Sequence, residues 1–242
     1  MNILDIIKEY VDKCIAENKL NALWAYGDFR ELQPKKWLWL VLPELVNTGC
    51  MTIQVLEQYK EDFYEYDVFF DMDTDKGLVF AIHNDVAVYN EATAYAVHKA
   101  TVRAYDKCSV VAFNDAIVYS FDHTCIRLYD TSRCVATEDS VVIAYNDSIV
   151  KHTGCGRVSA YCNSNVEAYP NVFVSATDKA FVVSNGATVH CDGQVTVKAY
   201  TYNFQGRPSK NISHVHAFER CVVFDKSGDA EIKLDGNAKV WK

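Results

Sequence analysis

Apolar residues recur every eight positions over more than half of this chain. From residue 76 it divides into octets such as ATVRAYDK, CSVVAFND, AIVYSFDH, TCIRLYDT and SVVIAYND. Their third positions read Leu78, Val86, Ala94, Val102, Val110, Val118, Ile126, Cys134, Val142, Val150, Val158, Val166, Val174 and Val182, and the series resumes at Val189 and Val197 after a one-residue deletion. Fifth positions are small, as at Ala96, Ala104, Ala112, Ser120, Ala136 and Ala144; first positions are small too, as at Ala100, Cys108, Ala116, Ser132, Ser148 and Ser164. Positions one, three and five therefore share a face with period two, the mark of a short strand buried on one side.

Positions six and seven read Tyr-Asp or Phe-Asn, as in Tyr105-Asp106, Phe113-Asn114 and Phe121-Asp122. Asp and Asn tolerate left-handed backbone and bond their own turns, so each octet ends in a corner. One strand and one corner per eight residues predicts a mainly β protein, a β-solenoid whose coils stack about 4.8 Å apart. Two and three octets per coil remain open, giving roughly eight coils and ~38 Å or roughly five and ~25 Å. This Val-x-Ala-Tyr-Asp octet resembles the repeats of β-solenoid proteins encoded by gut bacteria and their phages. The likeness covers about residues 76–200 and implies a fold; it carries no catalytic residues.

The segment TYNFQGRPSKNI, 201–212, with Gly206 and Pro208, reads as a loop. Beyond it Val215, Val222, Ile232 and Val240 mark closing coils, expected to end in a hairpin. Residues 1–75 lack the octet and form an α-rich capping domain, while 76–242 form the solenoid. Ile3, Ile6, Ile7, Tyr10, Val11, Cys14 and Ile15 share one helical face over residues 2–18, with Asn2 as cap. MTIQVLEQYKEDFYEY predicts a second helix capped by Thr52. Residues 22–47, with Trp24, Trp37 and Trp39, resist assignment. A solenoid end exposes unpaired strand edges, so the helical domain is expected to cover one.

Net charge is −8, all of it in the first third. Residues 1–75 hold fifteen acids against seven bases, and residues 76–242 hold seventeen of each. No general basic field exists, so direct nucleic-acid binding is not expected. The nine cysteines are odd in number and without paired spacing, which predicts no disulfide framework and a reducing, cytoplasmic setting. No basic-then-apolar leader is visible, and WLWLVL is too short to span a bilayer.

Candidate chemistry is sparse. VFFDMDTDKG, 68–77, looks like the aspartate-nucleophile motif of haloacid-dehalogenase-type phosphotransferases, but Thr74 replaces a required glycine and no alternating strand–helix pattern follows. As a calcium loop it supplies Asp71, Asp73 and Asp75, yet Lys76 replaces the turn glycine and Ile82 the bidentate glutamate. His214 and His216 share a strand face with no third ligand near in sequence. His152 sits at an inward position among alanines, which reads as a hydrogen-bonded core substitution or a local bulge rather than a catalytic base. Cys108, Cys134 and Cys191 read as core fillers. Neither metal, cofactor nor catalytic constellation is predicted.

Two surfaces remain. The acids Glu57, Glu61, Asp62, Glu65, Asp67, Asp71, Asp73 and Asp75 form a candidate partner-binding patch. Tyr105, Phe113, Phe121, Tyr129, Tyr145, Tyr161 and Tyr169 form a candidate aromatic platform along a corner, where stacking alone also accounts for the rings. The reading that follows is a non-enzymatic protein-binding module, such as a phage- or mobile-element-encoded inhibitor of a host defence or nucleic-acid-processing protein. The N-terminal domain is the place expected for self-association. The competing reading is a structural or carbohydrate-binding rod of a phage tail or cell surface.

Overall fold

In the computed structural model, which describes residues 2–22, 25–26, 33–203 and 210–241, the octets form a parallel β-solenoid of about ten turns. Strands occupy octet positions two to five, as in Thr101–Ala104, Ser109–Ala112 and Ile117–Ser120. Val102 pairs with Val118 and Val110 with Ile126, so each residue lies beside the one sixteen further on and a coil holds two octets. Alternate strands build two sheets, of eleven and ten strands. Ten steps at the usual spacing make a rod of ~48 Å. Valines at position three and alanines at position five fill the space between the sheets, fully buried at Val102, Ala104, Val142 and Ala144.

Corners follow the predicted chemistry. Position seven is left-handed at Asp106 (φ 58), Asn114 (φ 55), Asp122 (φ 56) and Asp130 (φ 56). Their carboxylates also join coils. Asp122 Oδ2 accepts the Asp106 N–H at 3.2 Å, and Asp130 Oδ2 accepts that of Asn114 at 3.1 Å. Pro170 occupies position seven in one octet and cannot take positive φ. The left-handed residue there moves one place to Asn171 (φ 72), with the Tyr169 carbonyl accepting the Val172 N–H at 3.2 Å.

Three expectations are corrected. The inward register does not begin at Leu78. Strand β1 (Val68–Phe70) already joins the larger sheet, ahead of β2 (Leu78–Ala81), β3 (Asp85–Val88) and β4 (Thr93–Ala96). Val79 pairs with Ala94, so Val79 and Ala81 face the solenoid core while Leu78 and Phe80 face out. The solenoid therefore starts at Val68, inside the stretch assigned to the cap. Second, the helical domain lies on the outer face of the first strands as well as near the end. Val68, Phe70, Leu78, Phe80, Ile82, Tyr95 and Val97 form one cluster with α1 (Ile3–Ala16), α2 (Pro34–Asn47), α3 (Ile53–Gln58) and α4 (Lys60–Phe63). LVFAI is a continuous apolar run because it is buried on both faces. Third, no hairpin closes the C-terminal coils. Glu231–Leu234 and Lys239–Trp241 pair in parallel with the coil before.

Local expectations fared better. Asn2 Oδ1 accepts the Leu4 N–H at 3.1 Å and Thr52 Oγ1 that of Val55 at 3.4 Å, so both caps form. The second helix breaks after Gln58 into α4 and a 3-10 turn, Tyr64–Tyr66. Residues 34–47 fold as α2. Trp24, and Gly206 and Pro208 of the loop, lie outside the described residues; the loop's flanks pair antiparallel, Tyr202–Asn203 with Lys210–Asn211. One disulfide joins Cys14 to Cys50 and the other seven cysteines are free, so there is a single bond where no disulfide framework is expected. The 36-residue separation hides a contact that only the packing of α1 on α2 creates. That bond removes the argument for a reducing compartment. No described helix is long and apolar enough to cross a membrane.

His152 is the core substitution expected. It is fully buried, Nδ1 accepts the Gly154 N–H at 3.1 Å and Nε2 donates to the Ser140 carbonyl at 3.0 Å. The ring fills room left by Gly156, where a Cβ would overlap both the imidazole and the Ser140 carbonyl. Burial pushes the imidazole below its ordinary value of 6.5. The unfolded chain then binds more protons than the folded one between those two values, so the His152 contribution is complete above about pH 6.5 and is lost as pH falls toward the lowered value. Denaturation midpoints measured across that window should drop for the wild type, and the slope should shrink in His152→Gln. The hydroxyls of Ser148 and Ser164 are buried without a partner among the described residues, at the position Ala116 and Ala180 fill elsewhere. Ser164→Ala should raise stability by about 1 kcal/mol, read as a higher denaturation midpoint; a lower one would show that the hydroxyl contributes.

Candidate functional site

Helix α2 reads PKKWLWLVLPELVN. Trp37, Leu38, Val41, Leu42 and Leu45 form its buried stripe. Pro34 starts it, and Pro43 inside it removes the hydrogen bond to the Trp39 carbonyl. The helix flank bearing Trp39, Leu40, Pro43, Glu44 and Asn47 stands apart from the outward face of the larger sheet. Between them runs a groove of about 880 Å³, walled opposite by Tyr95, Val111, Phe113, Arg127, Tyr129 and Asp130. Asn47 Nδ2 donates to the Tyr95 hydroxyl at 2.6 Å across one end. Trp39 Nε1 donates to the Tyr66 carbonyl at 2.9 Å, and Lys35 lies over its ring.

The groove's chemistry is amphipathic. Leu40 is exposed. Burial pushes the Glu44 carboxyl above its ordinary value, and that carboxyl has no hydrogen-bond or ion-pair partner among the described residues. Burial also raises the Tyr95 and Tyr129 hydroxyls. Arg127, at an outward fourth position, is exposed across the groove.

The candidate platform residues are not on one corner. Sixteen residues per coil sends successive octets to opposite corners. Phe113, Tyr129, Tyr145 and Tyr161 stack on one, with ring centroids 4.9, 5.0 and 5.1 Å apart. Tyr89, Tyr105 and Phe121 stack on the other at 5.0 and 4.9 Å. Tyr169 shares that second corner three coils beyond Phe121, bonded to Glu167 at 2.7 Å with Lys151 over its ring. The first stack continues through Tyr95, Phe80 and Phe70 to Phe63, one aromatic column from the helical core to mid-rod. Within the stacks, ring faces cover one another and present edges to solvent.

The acidic patch divides. Asp71 Oδ1 accepts the N–H groups of Ile82 at 2.6 Å and His83 at 3.0 Å, and Asp73 Oδ1 that of Ala87 at 2.7 Å. Asp73 thus satisfies a donor on β3, the edge strand of the smaller sheet, and Asp71 satisfies donors of the turn after β2. Asp67 pairs with Lys35 and with Lys76 at 3.7 Å. Glu57 meets His83 at 3.1 Å. Glu61, Asp62, Glu65 and Asp75 are exposed. Gly77 completes the seam at φ 78, where a Cβ would overlap the Asp67 carbonyl.

His214 and His216 do share a face, each paired with a carboxylate: Glu231 at 3.0 Å and Asp235 at 2.6 Å. The stacking adds His190 beside His216. Burial raises the Cys108 thiol to about 11 and the Cys134 thiol further, as inert core fillers require. No protein-family model, curated protein or solved structure matches this chain.

The groove was missed in sequence because its walls come from α2 and from strands some fifty to ninety residues later. Its signal was the lost alternation at LVFAI and YAV, which marks a strand face with something packed on it. Tyr95→Phe removes the bond to Asn47 and should cost about 1 kcal/mol in chemical denaturation, with the coil spectrum unchanged.

Proposed function

We propose that this chain is a non-enzymatic protein-binding module, and that the groove between α2 and the outer sheet face takes a segment presenting a basic side chain among apolar ones. Glu44 carries the reading. A half-buried carboxyl with no partner among the described residues is costly, and a lysine or arginine placed beside it offsets that cost with a charge-assisted hydrogen bond. Leu40, Trp39, Val111 and Phe113 supply flanking apolar surface. The surplus of fifteen acids over seven bases in residues 1–75 suits a basic partner. A nucleic-acid-processing host protein, occupied by an inhibitor of phage or mobile-element origin, belongs to that class. The rod-like carbohydrate reading is less favoured, because the stacked rings spend their faces on each other.

Panning a displayed peptide library on the full chain tests this. Enriched peptides should carry Lys or Arg beside aliphatic or aromatic residues. Their affinity should fall roughly tenfold or more in Glu44→Gln, the loss expected for a hydrogen bond to a charged group, and should vanish in Leu40→Glu. Peptides that bind both variants as well as wild type would place recognition elsewhere.

A further inference from the structure

We propose that Glu57, Asp71 and His83 bind a first-row divalent cation of the Zn2+ or Co2+ class, which ties α3 to the first coil of the solenoid. Each residue offers one ligand atom, and the three atoms lie within 4.8 Å of one another; no other group of three does so among the described residues. They come from three separate elements. Glu57 is on α3, Asp71 follows β1 and His83 follows β2. Glu57 Oε1 and His83 Nε2 are already 3.1 Å apart, within the roughly 3–4 Å that two donors at ~2.1 Å from one ion require.

Asp71 is the fixed member. Its backbone is left-handed (φ 48), and Oδ1 is held by the Ile82 and His83 N–H groups at 2.6 and 3.0 Å. Oδ2 has only a long 3.3 Å contact with the His83 N–H. Backbone donors thus orient the carboxylate from behind, as outer-shell groups do for metal ligands. Glu57 and His83 are 36% and 62% exposed, so their ends are free to close the remaining distance. One imidazole with two carboxylates selects a first-row transition ion over Ca2+ or Mg2+, which prefer oxygen alone. Three protein ligands leave at least one position for water. This is a different site from the calcium loop the sequence suggested: of Asp71, Asp73 and Asp75 only the first takes part.

The test is cobalt titration of the chelator-treated full chain, followed by visible absorption, because the seven free cysteines offer competing thiolates. Thiolate ligands give an intense near-ultraviolet charge-transfer band; oxygen and nitrogen ligands do not. One equivalent should bind without that band, and the thermal midpoint should rise with cobalt. Binding should weaken at least roughly tenfold in His83→Ala and in Glu57→Gln. Asp71→Asn keeps an amide oxygen for the Ile82 and His83 N–H groups, so it should hold the fold, checked by circular dichroism, while weakening binding. Binding dominated by the thiolate band, equal affinity in folded Glu57→Gln and Asp71→Asn, or no binding to the wild type at about millimolar cobalt, the weakest affinity that would still register, would overturn the site.

Discussion

Everything in this molecule rests on the hydrogen bonds that run along the rod, from each strand to the strand sixteen residues on. A parallel strand four residues long has no stability alone. Stacked, it gains two neighbours, and an inward valine meets a small or branched apolar residue above and below, as Val102 lies between Val86 and Val118. The same translation stacks the corner rings and aligns position-seven carboxylates such as Asp122 and Asp130 with an N–H of the coil before. One repeat distance thus serves the backbone, core and corners together.

The ends and sides must then be handled separately. At the edge of the smaller sheet no earlier strand lies beside β3, and Asp73 supplies an acceptor there with a side-chain oxygen; Asp71 does the same just past the end of β1. On the outer face of the larger sheet, the opening strands carry aromatic and aliphatic residues, whereas later strands mix Arg127 and Arg157 with Val141 and Ile143. That difference pins the helices to the first four strands of the larger sheet and leaves the next strands free. The groove lies along this border, where the apolar face outruns the helix that covers it.

The repeat made the solenoid, its inward ranks and its corners legible from residues alone, because a period of eight with internal period two has few other solutions. Coil size was not legible: both corners draw on the same residue types, so a two-octet coil leaves no sixteen-residue modulation. The slip at Leu78 arose because LVFAI is apolar at every position; alternation carries register only where one face meets water. The Cys14–Cys50 bond, the split of the aromatic rank and the meeting of Glu57, Asp71 and His83 depend on contacts between segments that no local pattern encodes. Helix α2 was obscured by its composition, tryptophan-rich with an internal proline, though its apolar stripe is regular once the start at Pro34 is known.

The corners also tolerate unequal lengths. Aligned inward residues are sixteen apart at Val166 and Val182, fifteen at Val174 and Val189, seventeen at Val215 and Ile232, and twenty-six at Val189 and Val215, where the loop is inserted. The strands keep their alignment while turns absorb the change. Length is therefore a variable that duplication can adjust: copying one coil from mid-rod adds a storey about 4.8 Å tall and preserves both the helical head and the tail. Lineages of such chains can set how far apart two surfaces are held without redesigning either.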